Sequence, residues 1–410
     1  MVAGARVPLT PRPPPRYDAA MPRVTVVILG ALVAASVAMS GVAYAQQPAP
    51  IGETDGPPRE REAPIIEVLT FGVGELLFER FGHTAVCIRY HDPNRSPVCF
   101  NYGVTDFDSG AVLAWRFLRG EQQFWVEPMD FRPLLEIYQD EDRDIWAQPL
   151  PLSDTEARAI ETRLWSDLSD DRRFYIYDHF ANNCTTRIRD IIDEATGGRL
   201  HIDGERRYPL ALRELVHRGF AEMPALVALS DFVLGRELDE HPTVWQAMFH
   251  PRVFQQQLEI RFSVKPEIVS SRHGSPYRDT GSSGRFVMLL VALAFTLPLV
   301  IARWRPRFER AALVWTTLHL ATWGIVIYGV VIISSIGALR WNEAVLVLTP
   351  VDAVLPWLSN SRRRRYTQVR VLGLLLVSSL CALGILHQPL WIPILTAVMP
   401  LTLIAFPRRR

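Results

Sequence analysis

The chain has 410 residues, with 44 basic and 43 acidic side chains and a formal net charge of +1. That balance excludes a broad electrostatic footprint for nucleic acid, and the length accommodates one sizeable domain and a membrane region. The averages conceal two halves: mixed-charge sequence to about residue 285, then apolar blocks separated by arginines.

At the N-terminus, Arg23 precedes an apolar run over 24–40, followed by Ala43-Tyr44-Ala45. This pattern predicts a secretory signal peptide over 1–45, cleaved after Ala45. An uncleaved anchor helix is the other reading, and either one exports the domain downstream of it. Residues 46–63 are rich in Pro, Gly and charge and read as a linker. The next domain is expected over 64–265. Its opening run, 65–71, reads as a strand. Two further strands over 84–90 and 96–102 flank the turn-rich HDPNR segment at 91–95, which predicts a hairpin. If its register centres on residue 93, Cys87 faces Cys99. In an oxidising compartment the pair is either a cross-strand disulfide or two reduced core cysteines.

Ser153 and Glu156 form a capping-box pattern that opens a helix to about Leu168. A second helix is predicted over 183–195, with Ile188, Ile191 and Ile192 on one face and Gly197-Gly198 ending it. Further helices are expected over 210–250. Strands early and helices late indicate an α+β domain. Residues 266–285 are polar and read as a juxtamembrane linker. The 286–406 region is expected to be an all-α transmembrane bundle of about five helices, with spans at 286–302, 311–339, 344–358, 371–386 and 390–406. The 344–358 span is short and contains Asp352. The 303–310 loop holds four arginines, 361–370 holds five, and the chain ends in three. The alternate loops are poor in basic residues. The positive-inside rule therefore puts the arginine-rich loops in the cytoplasm and residues 46–285 outside it.

Cys184 falls where a loop turns into the second helix, with Asn182 or Asn183 as N-cap. Helix-start N–H groups and the helix dipole favour a thiolate there and can stabilise an oxyanion. The alternative is a small buried residue, since free Cys is among the most buried types. A nucleophilic thiolate needs a base, and spacing leaves His179 and His83 both open. Cys381 reads as a packing residue in an apolar span. Asp352 and His319 also fall in apolar spans. Each is a functional candidate by default, the alternative for Asp352 being a wet re-entrant segment. The Asn183-Cys184-Thr185 glycosylation match is weak. No His, Cys and carboxylate cluster has metal-ligand spacing, so neither metal nor cofactor is expected.

Three runs carry a resemblance: FGVGELLFERFGHTA at 71–85, NYGVTDFD at 101–108 and FANNCTTRIRD at 180–190, with LGRELD at 234–239 and MFHP at 248–251. In this order they resemble the Lnb-type N-terminal periplasmic domain family over roughly 64–265. The resemblance implies a permuted papain-like (NlpC-type) thiol fold, in which the histidine strand precedes the cysteine helix. It therefore selects His83 over His179 as base to Cys184. It also implies a polar third residue, for which Asn101 is the candidate, with Asn183 in support. The implied activity is that of a membrane-bound thiol acyltransferase acting on a lipoprotein or phospholipid through a Cys thioester. An envelope cysteine hydrolase of the same fold and a non-enzymatic envelope scaffold are the competing readings.

Overall fold

The computed structural model describes residues 62–75, 79–106, 110–280 and 284–407. The expected signal peptide, all but the end of the 46–63 linker and the terminal Arg408–Arg410 run lie outside the described residues.

The N-terminal part is an α+β domain built on a seven-stranded sheet. Its elements in chain order are β1 (Ile65–Phe71), β2 (His83–Arg89), β3 (Val98–Val104), α1 (Gly110–Arg119), β4 (Gln123–Asp130), α2 (Phe131–Asp140), β5 (Ile145–Pro149), α3 (Asp154–Ser166), β6 (Phe174–Ile176), α4 (Cys184–Ala195), α5 (Leu212–Gly219), α6 (Pro224–Val233), α7 (Pro251–Phe262) and β7 (Glu267–Ser270). The strand order is β6-β4-β3-β2-β1-β5-β7, with every neighbouring pair antiparallel. β7 lies within the stretch expected to be a linker, so the sheet extends beyond residue 265.

The sheet is buried on both faces. Val68, Val86, Ile88, Phe100 and Tyr102 point to one side and pack beneath Ile160 and Leu164 of α3, Ile188 and Ile192 of α4, and Phe254 and Leu258 of α7. Leu69, Phe71, Ala85, Cys87 and Cys99 point to the other and pack against Leu134 of α2. Each fully buried side chain of this size contributes about 1.5–3 kcal/mol. The hairpin register pairs Cys87 with Cys99, and the two form a disulfide. The predicted capping box is present: Glu156 accepts from the Ser153 N–H at 2.8 Å.

The C-terminal part contains α8 (Arg285–Ala302), α9 (Glu309–Ile333), α10 (Asn360–Ala382) and α11 (Trp391–Ala405). Two helical stretches, Arg285–Ala302 and Pro306–Ile333, are long and apolar enough to cross a membrane. The expected helical span at 344–358 is instead two 3₁₀ segments, Glu343–Leu346 and Pro350–Trp357. Pro350 and Pro356 remove backbone donors that an α-helix needs. Glu343 lies level with Gln388, beyond one end of α10, and Leu358 accepts from Arg363 at the other end. The segment thus traverses the length of α10 without being α-helical. Asp352 within it is fully buried rather than wet. Its carboxylate takes a bidentate pair from Arg370, at 3.0 and 2.9 Å, and a 2.6 Å bond from the Tyr366 hydroxyl. His319 is buried on α9 with its ring stacked on Phe295 at 4.0 Å. Cys381 packs at the edge of the apolar core of this region.

One end of this bundle is joined to the domain. α6 contributes Ala228 and Phe232 to its core. Asn342 donates to Phe232 O and Val233 O at 2.9 and 2.8 Å, and Gln388 donates to Asp231 O at 3.1 Å. The other end carries the arginine loops, where Arg303 donates to Phe406 O at 2.9 Å.

Candidate active site

Three elements converge on Cys184. The helix α4 begins at this residue because Asn183 caps it: Asn183 Oδ1 accepts from the Thr186 N–H at 2.9 Å, and Thr186 Oγ1 accepts from the Asn183 N–H at 2.8 Å. The Asn183 amide group also donates to His179 O and Phe249 O, both at 2.9 Å. These bonds fix the helix start in the domain core. Asn183 therefore acts on the site through the backbone that presents the sulfur.

His83 opens β2 and is hydrogen-bonded to Cys184. Its Nε2 meets Asn101 Oδ1 at 2.6 Å. With Nε2 held there, Nδ1 is the ring nitrogen left for the sulfur. Alternation along the hairpin explains why Asn101 reaches the ring. His83, Ala85 and Cys87 share a face of β2, as Cys99, Asn101 and Gly103 share the same face of β3, so Asn101 is the diagonal neighbour of His83. Behind the imidazole, Phe71 and Tyr138 stack on each other at 3.8 Å, each 5.9 Å from the His83 ring.

The electrostatics follow from this packing. Burial alone would raise the Cys184 thiol. The His83 charge and hydrogen bond, the Thr84 N–H and the Thr185 hydroxyl, 3.7 Å away, reverse this and hold it at about 7. Burial alone would lower His83; the Cys184 thiolate overcomes it, and the imidazole is raised above its ordinary value. The two shifts run in the direction that favours a thiolate–imidazolium pair. Both residues remain partly exposed.

His179, the other histidine that spacing left open, is placed differently. It is walled by the rings of Phe81, Phe180 and Phe249 at 4.4, 4.9 and 5.5 Å, and its Nδ1 meets the Tyr177 hydroxyl at 3.1 Å. Burial holds it at about 4, in the neutral form.

Sequence reasoning missed Gly103. Its φ is +105°, and a Cβ there would lie 3.6 Å from His83 Cε1 and 3.7 Å from Cys184 Cβ. The missing side chain leaves space beside the pair. The signal was available, because an isolated Gly in a strand pattern marks a bulge or a close approach. Thr84 was also missed. Its hydroxyl is bonded to that of Thr185 at 3.0 Å, tying β2 to α4 beside the sulfur.

No group of three or more His, Cys, Asp or Glu side chains among the described residues could hold a metal ion. No curated protein and no solved structure matches the chain. One family does match: residues 64–218, which contain Cys184, His83 and Asn101, fit the model of the Lnb N-terminal periplasmic domain. The segment that builds the site thus belongs to the Lnb N-terminal periplasmic domain family.

Proposed function

We propose that this chain is a multi-pass inner-membrane thiol acyltransferase whose Cys184 takes an acyl group from a lipid or lipoprotein ester. The observation that carries the proposal is the Cys184–His83–Asn101 arrangement at the start of α4, with a lowered thiol and a raised imidazole. The strand-borne histidine preceding a helix-borne cysteine, packed on an antiparallel sheet, is in keeping with a permuted papain-like fold.

The chemistry proceeds in two halves. The Cys184 thiolate attacks the ester carbonyl, and the N–H groups opening α4 face the developing oxyanion. The tetrahedral intermediate expels an alkoxide, which takes the proton from His83 and leaves as the alcohol. The acyl group remains as a thioester. An amine then attacks the thioester carbonyl, His83 accepts its proton, the C–S bond breaks, and the thiolate returns with an amide as product. Asn101 keeps the ring in one orientation through both halves.

The tail supports a lipid substrate. The loops that meet the domain are poor in arginine, and the opposite end carries Arg303, Arg305, Arg307 and Arg310, with Arg362–Arg365 opening α10. By the positive-inside rule the domain end faces away from the cytoplasm. Exposed Phe286 and Trp341 mark the domain end, and exposed Trp304, Trp357 and Phe406 mark the other, as expected of residues at two membrane interfaces. Phe81, two residues before His83, shares an apolar cluster with Phe180 and with Ala338 of the short helix Gly337–Arg340 that follows α9. On this reading the site is one packed layer from the outer interface, where a lipid ester would lie.

The test is mass spectrometry of the purified full-length protein after incubation with diacyl phospholipid and a lipoprotein with a free N-terminal amine. The expected result is an acyl adduct on Cys184, absent in Cys184→Ala, followed by lysolipid and amide. Free fatty acid as the only product would replace transfer with hydrolysis. No adduct under any condition would end the thioester mechanism.

A further inference from the structure

The sheet is not uniformly tied. β1 pairs with β2 through seven rungs, from Ile65–Arg89 to Phe71–His83. β3 pairs with β4 through six, from Val98–Asp130 to Val104–Trp125. Between β2 and β3 the ladder has three rungs, Val86–Phe100, Cys87–Cys99 and Ile88–Val98. Toward the site it stops. Continuing the register sets Ala85 opposite Asn101 and His83 opposite Gly103, but no ladder forms there.

The opening has a use, since the start of α4 approaches through it: the space beside Gly103 touches both Cys184 and His83. It also has a consequence. His83 belongs to a block fixed by β1, and Asn101 to a block fixed by β4. The seam between the blocks runs between these two residues. A one-residue slip would turn every side chain of one strand to the other face. Three rungs are a short ladder to prevent that. The disulfide lies in the middle of them, on the same face as His83 and Asn101, one same-face rung beyond Asn101. Both sulfurs are fully buried, and the loop they close is short, with a sequence separation of 12. A loop this short gains less from chain entropy than a long one, about 3 kcal/mol against about 4.7 for a loop of about 100 residues, and the location of the bridge adds a local effect on register.

We propose that the Cys87–Cys99 disulfide is a positioning element of the thiol site: it locks the β2–β3 seam so that Asn101 holds the His83 ring against Cys184. This rests on the reading of Cys184 and His83 as nucleophile and base. Neither sulfur touches the substrate. Both act through the register of the strands that carry His83 and Asn101.

The test reads the thiolate rather than turnover. Full-length protein in detergent is alkylated with iodoacetamide across a pH series, and modification of Cys184 is followed by peptide mass spectrometry. In the wild type the rate rises with a midpoint near 7, where the thiol is held. In the folded Cys87→Val/Cys99→Val pair the midpoint moves upward by about half a unit or more, a roughly twofold or greater loss of rate at pH 7. Asn101→Ala gives a shift in the same direction, and adding it to the valine pair gives little more. A folded valine pair with the wild-type profile overturns the proposal. Should the pair not fold, the disulfide of the folded wild type is reduced with a phosphine, and the freed Cys87 and Cys99 are counted in the same spectra. An unchanged Cys184 profile in reduced, folded molecules overturns it equally. A wild-type Cys184 that titrates as an ordinary thiol and ignores His83→Ala defeats the nucleophile–base reading itself, and this inference with it.

Discussion

Two ion pairs sit in low-dielectric surroundings of this molecule, and they are built in opposite ways. Asp352 and Arg370 are multiply bonded: two bonds join them, Tyr366 donates to the carboxylate, and Arg370 also donates to Val347 O at 2.7 Å. Cys184 and His83 are left partly exposed, with space beside them at Gly103. A pair that holds structure is tied by several bonds, because an unpaired buried charge is costly. On the proposed reading the Cys184–His83 pair does chemistry, and such a pair has to leave the sulfur approachable and its proton movable. The bundle needs the first kind because its 343–358 segment is built of 3₁₀ turns rather than a continuous α-helix. Burial against protein and side-chain partners has to make up the difference.

The largest expected effect would break this comparison if absent. Cys184→Ser and His83→Ala should abolish acyl transfer while the domain stays folded, as judged by circular dichroism and size-exclusion chromatography. In His83→Ala the thiol loses its counter-charge, and burial pushes it above the ordinary value. Alkylation of Cys184 at pH 7 should fall roughly 50-fold, since its midpoint rises by about two pH units. An unfolded Cys184→Ser would make the pair structural, like its counterpart in the tail.

The tail pair should behave in the reverse sense. Asp352→Ala strands Arg370 and should cost about 3–5 kcal/mol of stability, seen as a lower thermal midpoint in detergent. Asp352→Leu with Arg370→Met removes both charges and should recover most of that loss, because an apolar pair of similar volume avoids the desolvation cost. No double replacement of Cys184 and His83 can recover activity. A stable Asp352→Ala would mean that the remaining bonds, such as Arg363 to Leu358 O, are enough to hold the 343–358 segment.

The pH dependence sharpens the comparison further. The thiolate forms as pH rises through about 7, and the raised His83 stays protonated beyond its ordinary range. Acylation requires both the thiolate and the imidazolium proton. Its rate should therefore rise through about 7 and fall at higher pH, where His83 loses that proton. A profile with a rising limb alone would mean that the leaving alcohol takes its proton from elsewhere.

The site was more legible in the sequence than the sheet around it. Cys184 at a helix start, the Asn183 cap, the hairpin register through Cys87 and Cys99, and the Ser153 capping box all rest on local spacing, and local spacing survives folding. The choice of His83 over His179 did not follow from spacing and needed the family resemblance. β4, β5 and β7 carry no clean alternation, because buried positions and edge positions are mixed along them. Glu267, Ile268 and Val269 of β7 are exposed, so the strand reads as polar linker and is held only by its partner β5. The 344–358 span misread for a related reason. Its apolar composition matched a helix, but its prolines and the remote partner Arg370 decide its conformation.

The smallest effects separate two helix caps. Ser153 and Asn183 both form capping boxes, but Ser153 lies at the exposed start of α3 and Asn183 is buried. Asn183→Ser keeps an acceptor for the Thr186 N–H and loses the two donors to His179 O and Phe249 O. It should cost about 1–3 kcal/mol, the penalty for leaving buried carbonyls without their partner. Cys184 should keep its midpoint near 7, because the helix start is still capped and His83 is untouched. Ser153→Ala loses only the cap, about 1 kcal/mol, and should leave both the alkylation rate and its pH midpoint unchanged. A shift of the Cys184 midpoint in Ser153→Ala would mean that α3 sets the position of α4 through their shared core. The activated thiol would then depend on helix packing as well as on the His83–Asn101 pair.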